Sequence, residues 1–157
     1  MALALLFAAC GSDGSEAVPG ALDGAFDGAE PAAEPFEGMT AVEVAVGGST
    51  LHVVVADSAA ERSAGLRDRT DPSPYDGLLF VVPADSGSAF TMSGVSDPLD
   101  LALYSADGTR IGGHDLAPCP DGSDCPSYPP DEPWRYALET PPGDLPDGPL
   151  EAVTADR

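Results

Sequence analysis

The chain has 157 residues, enough for one compact domain and too few for two well-formed cores. It carries 27 acidic residues against six basic ones, all arginine (Arg62, Arg67, Arg69, Arg110, Arg135 and Arg157), for a formal charge of -21. That balance excludes nucleic acid as the expected partner, because binding a polyanion draws on lysine and arginine displacing counterions and this charge repels phosphate; high salt and a biased genome account for it equally well.

Residues Ala2 to Ala9 form an uninterrupted apolar run. It is too short for the ~20 residues of a membrane-crossing helix and matches the end of a signal-peptide core. The run stops at Phe7-Ala8-Ala9-Cys10, followed by Gly11-Ser12. Small residues directly before a cysteine resemble the bacterial lipobox, which implies that Cys10 is diacylated and holds the protein on the outer face of a bacterial membrane. An ordinary cleaved signal with an incidental cysteine is the other reading. Residues 11–38 have no apolar periodicity, seven acids and no bases, a composition that does not offset the entropy of ordering. They are expected to form a disordered tether with a root-mean-square reach of roughly 30 Å. The folded domain is expected over 39–157.

From Met39 the patterning is that of strands. Val42, Val44 and Val46 alternate with Ala41, Glu43 and Ala45; Gly47-Gly48 makes a turn; Leu51, Val53 and Val55 alternate in their turn, which predicts a hairpin with one buried face. Ser58 followed by Glu61 is a capping box for a short helix ending near Gly65-Leu66. Further strands are predicted at 78–82, 88–92, 99–104, 109–115 and 134–140, with Ala106-Asp107-Gly108 as a hairpin turn. The fold class expected is mainly β with a short helix, a compact single domain that is barrel-like or sandwich-like.

Three cysteines in an exported chain leave one over. With Cys10 acylated, Cys119 and Cys125 are expected to pair within a Pro- and Gly-rich loop. A thiolate metal site or a redox pair is the sharper alternative, but five residues intervene between the two cysteines and no second pair completes a zinc site. The run Asp121-Gly122-Ser123-Asp124 lacks the ligand count of a calcium loop. No metal and no cofactor are expected.

The series Gly65-Leu66-Arg67-Asp68-Arg69, Gly77-Leu78-Leu79-Phe80, Phe90-Thr91-Met92, Pro98-Leu99-Asp100-Leu101, Asp107-Gly108, Tyr136-Ala137-Leu138-Glu139 and Pro142-Gly143 resembles domain-of-unknown-function family 192 over roughly 42–153. The family pattern reads GLMxR, GMLF, FWMKN, PLD and Y-x-L-E. This chain carries Arg67 and Leu78 in place of two methionines, and Thr91, Ser93 and Gly94 in place of Trp, Lys and Asn. The resemblance implies a small β-rich fold and assigns no activity.

Within the matching motifs Arg69 and Asp100 stand out, since a carboxylate opening an apolar strand is costly unless paired. Together with Glu139, and with His114-Asp115 at the end of another strand, they form the candidate polar pocket. A structural ion pair or turn cap is the plainer reading of Arg69 and Asp100, and a surface side chain that of His52 and His114. Two functions from different classes follow. One is a noncatalytic envelope module binding a cell-wall component, small ligand or protein. The other is a hydrolase or other small enzyme using Asp100, His114 or Asp115, which requires those side chains to converge in one cleft.

Overall fold

The computed structural model describes residues 20–69 and 71–153; the expected leader, Cys10 and the first part of the expected tether lie outside them. Ten strands and one helix follow in chain order: β1 (Glu30–Pro31), β2 (Thr40–Val46), β3 (Ser49–Ala56), α1 (Ala59–Ala64), β4 (Gly77–Ser86), β5 (Phe90–Thr91), β6 (Leu99–Tyr104), β7 (Arg110–Leu116), β8 (Ser127–Tyr128), β9 (Trp134–Thr140) and β10 (Leu150–Ala152). The architecture is mainly β, a single compact domain around one mixed sheet. The sheet runs β1-β2-β3-β4-β9-β6-β7, with β10 added to β2, and β5 and β8 pair separately. The path does not close into a barrel, so the sandwich-like expectation describes it.

The predicted hairpin is β2–β3, turned at Gly47-Gly48. Gly47 has φ 55°, and a β-carbon there would stand 1.7 Å from the Asp147 carbonyl oxygen, so only glycine fits this turn. The capping box is present as well. Ser58 Oγ accepts from the Glu61 N–H at 3.2 Å, and Glu61 Oε2 accepts from the Ser58 N–H at 2.9 Å. The helix it starts is the crossover that lets β3 and β4 run parallel. The strand predicted over 88–92 contracts to Phe90–Thr91, because its one partner, β8, is only two residues long.

Two expectations are corrected. The first is the hairpin's single buried face: Val53, Val54, Val55 and Ala56 are all buried, because the sheet is covered on both sides. Val54, Ala56, Leu78, Phe80, Leu101 and Leu103 belong to one apolar cluster, and Val53, Val55, Leu79, Ala102, Tyr104 and Leu138 to the other. The second concerns the tether, whose residues 20–38 are packed onto the domain rather than disordered. Leu22 and Phe36 are each only 1% exposed. A 3-10 turn at Ala25–Gly28 and the β1–β2 pairing satisfy much of the intervening backbone. Two isolated apolar anchors leave no periodicity in a sequence, yet each fills a gap in a preformed core.

Candidate functional site

The register of the central strands decides which candidate residues meet. On one face the row across β3, β4, β9, β6 and β7 reads Val54, Leu78, Glu139, Leu101, His114. On the opposite face the neighbouring row reads Thr140, Asp100, Asp115 across β9, β6 and β7. Directly paired residues share a face and successive residues alternate. Asp100 and Asp115 are therefore neighbours, whereas His114 and Glu139 lie through the sheet from them. The five-residue polar pocket expected from the motifs is not one site.

Asp100 and Asp115 line a shallow depression of about 420 Å³ with Arg110 and Asp147, and His114 borders it too, although strand alternation turns its side chain to the other face. Asp100 Oδ2 accepts from the Gly143 N–H at 2.8 Å, which joins the PLD motif to the Pro142-Gly143 turn and makes Asp100 a turn cap. Arg110 is paired with Asp147 at 3.2 Å. Next to this pair Tyr104 is fully buried, its hydroxyl without a partner among the described residues, and burial pushes its phenol up to about 12. His114 faces the other way. Its Nε2 is 2.9 Å from the Pro129 carbonyl oxygen, and its ring lies 5.6 Å from that of Tyr128.

Glu139 is 5% exposed between Leu78 and Leu101. No hydrogen bond reaches its carboxyl among the described residues, and burial alone raises it to about 8, so the acid is mostly protonated at neutral pH. Arg69 belongs to neither row. Its Nη1 donates to the Pro35 carbonyl and its guanidinium lies 4.2 Å over the ring of Phe36. A second cleft, of about 660 Å³, lies between the N-terminal segment and β2–β3 and is lined by Asp27, Glu30, Glu43 and His52. Here His52 Nε2 comes within 3.4 Å of Glu30. Sequence reasoning missed this cleft because Asp27 and Glu30 fall in the segment read as a tether. Among the described residues, no three of His, Cys, Asp and Glu gather as a metal-ligand set.

Cys119 and Cys125 form a disulfide, with Cα atoms 5.8 Å apart. The loop it closes is docked on residues 93–95: the Gly94 N–H donates to the Cys119 carbonyl at 2.9 Å and the Cys119 N–H to the Val95 carbonyl at 3.0 Å. Phe80, Phe90 and Trp134 pack in succession, Phe80 and Phe90 edge to face at 5.4 Å and Phe90 and Trp134 tilted at 5.1 Å between ring centroids.

A family model, DUF192, described as "Uncharacterized ACR", matches residues 42–148. The fold is similar to that of a protein of unknown function from Novosphingobium aromaticivorans DSM 12444, at TM-score 0.64 and 24% identity over 81% of this chain and 96% of that one. It is also similar to a protein from Sinorhizobium meliloti 1021 described as a candidate transcription regulator, at TM-score 0.50 and 25% identity over 69% of this chain and 89% of that one. No curated protein matches.

Proposed function

The chain belongs to the DUF192 family, and we propose that it is a noncatalytic binding module of the cell envelope, exported and held at the outer face of a bacterial membrane by a lipid on Cys10. The observation that carries the noncatalytic reading is the split of the polar candidates between two faces of one sheet. Asp100 and Asp115 share one side, His114 and Glu139 the other, and Arg69 is committed to the N-terminal segment. A general base needs its nucleophile within hydrogen-bond reach, and Asp100 spends one oxygen on a backbone turn instead.

Support for an extracytoplasmic home comes from the lipobox-like run ending at Cys10 and from the Cys119–Cys125 disulfide, a bond that persists in oxidising compartments. The regulator description attached to the Sinorhizobium protein is not carried over, since a chain of charge -21 repels a phosphate backbone. The partner we propose is an envelope component. Intact mass of the protein purified from native membranes, with and without reduction and alkylation, tests the reading. A diacylglyceryl adduct on Cys10 and one reducible bond are the expected result; an unmodified N-terminus in the soluble fraction overturns it.

A further inference from the structure

β7 is the last strand of the sheet path and is paired on one side only, with β6. The phase of that ladder decides which of its main-chain groups are free. Where the two strands join, the Ser105 N–H donates to the Thr109 carbonyl at 3.0 Å. Leu103 and Leu101 therefore turn their main chain toward β7, and their partners Gly112 and His114 turn theirs back. Gly113 and Asp115 point their N–H and C=O groups outward, and both residues are exposed. The free stretch has defined ends. The Ala117 N–H, next in the outward series, is taken by the Tyr128 hydroxyl at 3.0 Å, and at the other end the ladder slips past Ile111. Among the described residues no other strand pairs along this edge, which makes it a template for a further extended chain.

The two faces beside the edge differ in chemistry. On the side of Gly113 and Asp115 lies the depression that Asp100, Asp115 and Asp147 share with Arg110, and that arginine is already paired with Asp147. On the other side stand the half-buried rings of His114 and Tyr128, 5.6 Å apart. A second copy of this chain is the wrong occupant, because two chains of charge -21 repel. Charge complementarity selects a basic one.

We infer that β7 is a docking edge for an extended basic segment of a partner protein, which adds antiparallel to it through the main chain of Gly113 and Asp115 and sets its arginine or lysine side chains over the Asp100–Asp115 depression. Residues paired with Gly113 and Asp115 fall on the acidic face, and those between them on the face of His114 and Tyr128, so the segment alternates basic and apolar side chains. Main-chain bonds supply the affinity of such a complex and the alternate side chains its specificity. The inference rests on the domain being a binding module but not on export or on Cys10, so the mass measurement and the titration described next fail separately.

A fluorescent, end-blocked peptide of sequence Thr-Val-Arg-Val-Arg-Val-Thr is titrated into the full chain, and saturable binding is expected. The same peptide with Glu for both Arg, and one with both arginine amides N-methylated, are expected to bind at least about tenfold more weakly, the second because two main-chain hydrogen bonds are lost. Asp115→Pro withdraws an outward N–H without touching the β6 ladder and is expected to weaken the parent peptide to a similar extent; the methylated peptide makes the same test on the unaltered chain. Hydrogen exchange locates the complex. The Gly113 and Asp115 amides are expected to slow at least about tenfold on binding, while that of His114, already bonded to β6, stays unchanged. Absence of saturable binding overturns the inference, as does undiminished binding by either altered peptide or by a folded Asp115→Pro chain. Protection elsewhere on the chain also overturns it, and so does protection of both amides before peptide is added in a chain that sediments as a dimer, which would give the edge to a second copy.

Discussion

Replacing Glu139 by glutamine turns the burial of its carboxyl into a pH-dependent stability. Burial raises the carboxyl to about 8 from an ordinary 4.5, so the folded chain keeps a proton that the unfolded chain has already released. Stability from this group is fully present below the unfolded value, falls by roughly 1.4 kcal/mol per pH unit above it, and is lost once pH has risen through the folded value. Across the whole interval that is at most about 5 kcal/mol, a large share of the roughly 5–15 kcal/mol that holds a domain together. Glutamine keeps the shape and does not ionise. The advantage of Glu139→Gln over the wild type is therefore expected to grow between about pH 5 and about pH 8 and to level off above that, while the other acids cancel in the difference. Urea unfolding followed by fluorescence of the buried Trp134 measures it. A difference that stays constant with pH would refute the reasoning, since it would mean that water or a counter-charge reaches the carboxylate.

Replacing Cys119 and Cys125 by serine is expected to cost about 2 kcal/mol, the loop entropy of so short a bridge; urea midpoints of this variant and of the reduced wild type should agree. Ser58→Ala removes one half of the capping box, and calorimetry should record a loss of about 1 kcal/mol. At Gly113 a β-carbon would stand 2.4 Å from the Leu101 carbonyl oxygen, whereas at Gly112 it meets nothing. Gly113→Ala should therefore destabilise by about 1–3 kcal/mol and Gly112→Ala by less than about 0.5 kcal/mol, and equal effects in chemical denaturation would show that the β6–β7 register differs from the one described.

Local signals carried most of the fold into the sequence. Alternating valines marked β2 and β3, Ser58 and Glu61 marked the start of α1, and the predicted limits of β6 and β9 are those observed. What stayed hidden was tertiary. The four-residue buried stretch of β3 comes from apolar cover on its second face, which no single strand records. Leu22, Phe26 and Phe36 are scattered among acids, Gly, Ala and Pro, so composition favoured disorder although the side chains of Leu22 and Phe36 are buried. The polar candidates failed to converge for a related reason. Asp100 and Glu139 sit on adjacent strands one residue out of register, and a shift of one residue puts a side chain through the sheet.

The departures from the family pattern follow a different logic, because two of them are one packing solution. Arg67, standing where the pattern has Met, donates through Nε to the Ser93 carbonyl at 3.0 Å. Its stem crosses Gly94, where a β-carbon would lie 2.6 Å from Arg67 Cγ, so the asparagine of the pattern does not fit beneath this arginine. The Asp68 N–H donates to the Gly94 carbonyl at 3.1 Å, and on the other side Gly94 holds Cys119 and with it the disulfide loop. An arginine stem over a residue without a side chain, locked to a cross-linked loop, explains why Arg67 and Gly94 depart together; nothing in the structure explains Ser93. Leu78 for Met is a separate, nearly volume-conserving exchange in the buried row beside Glu139. The buried departure at Leu78 conserves volume, and the other departures fall at residues 67, 91, 93 and 94, where this chain has exchanged the family's side chains for its own.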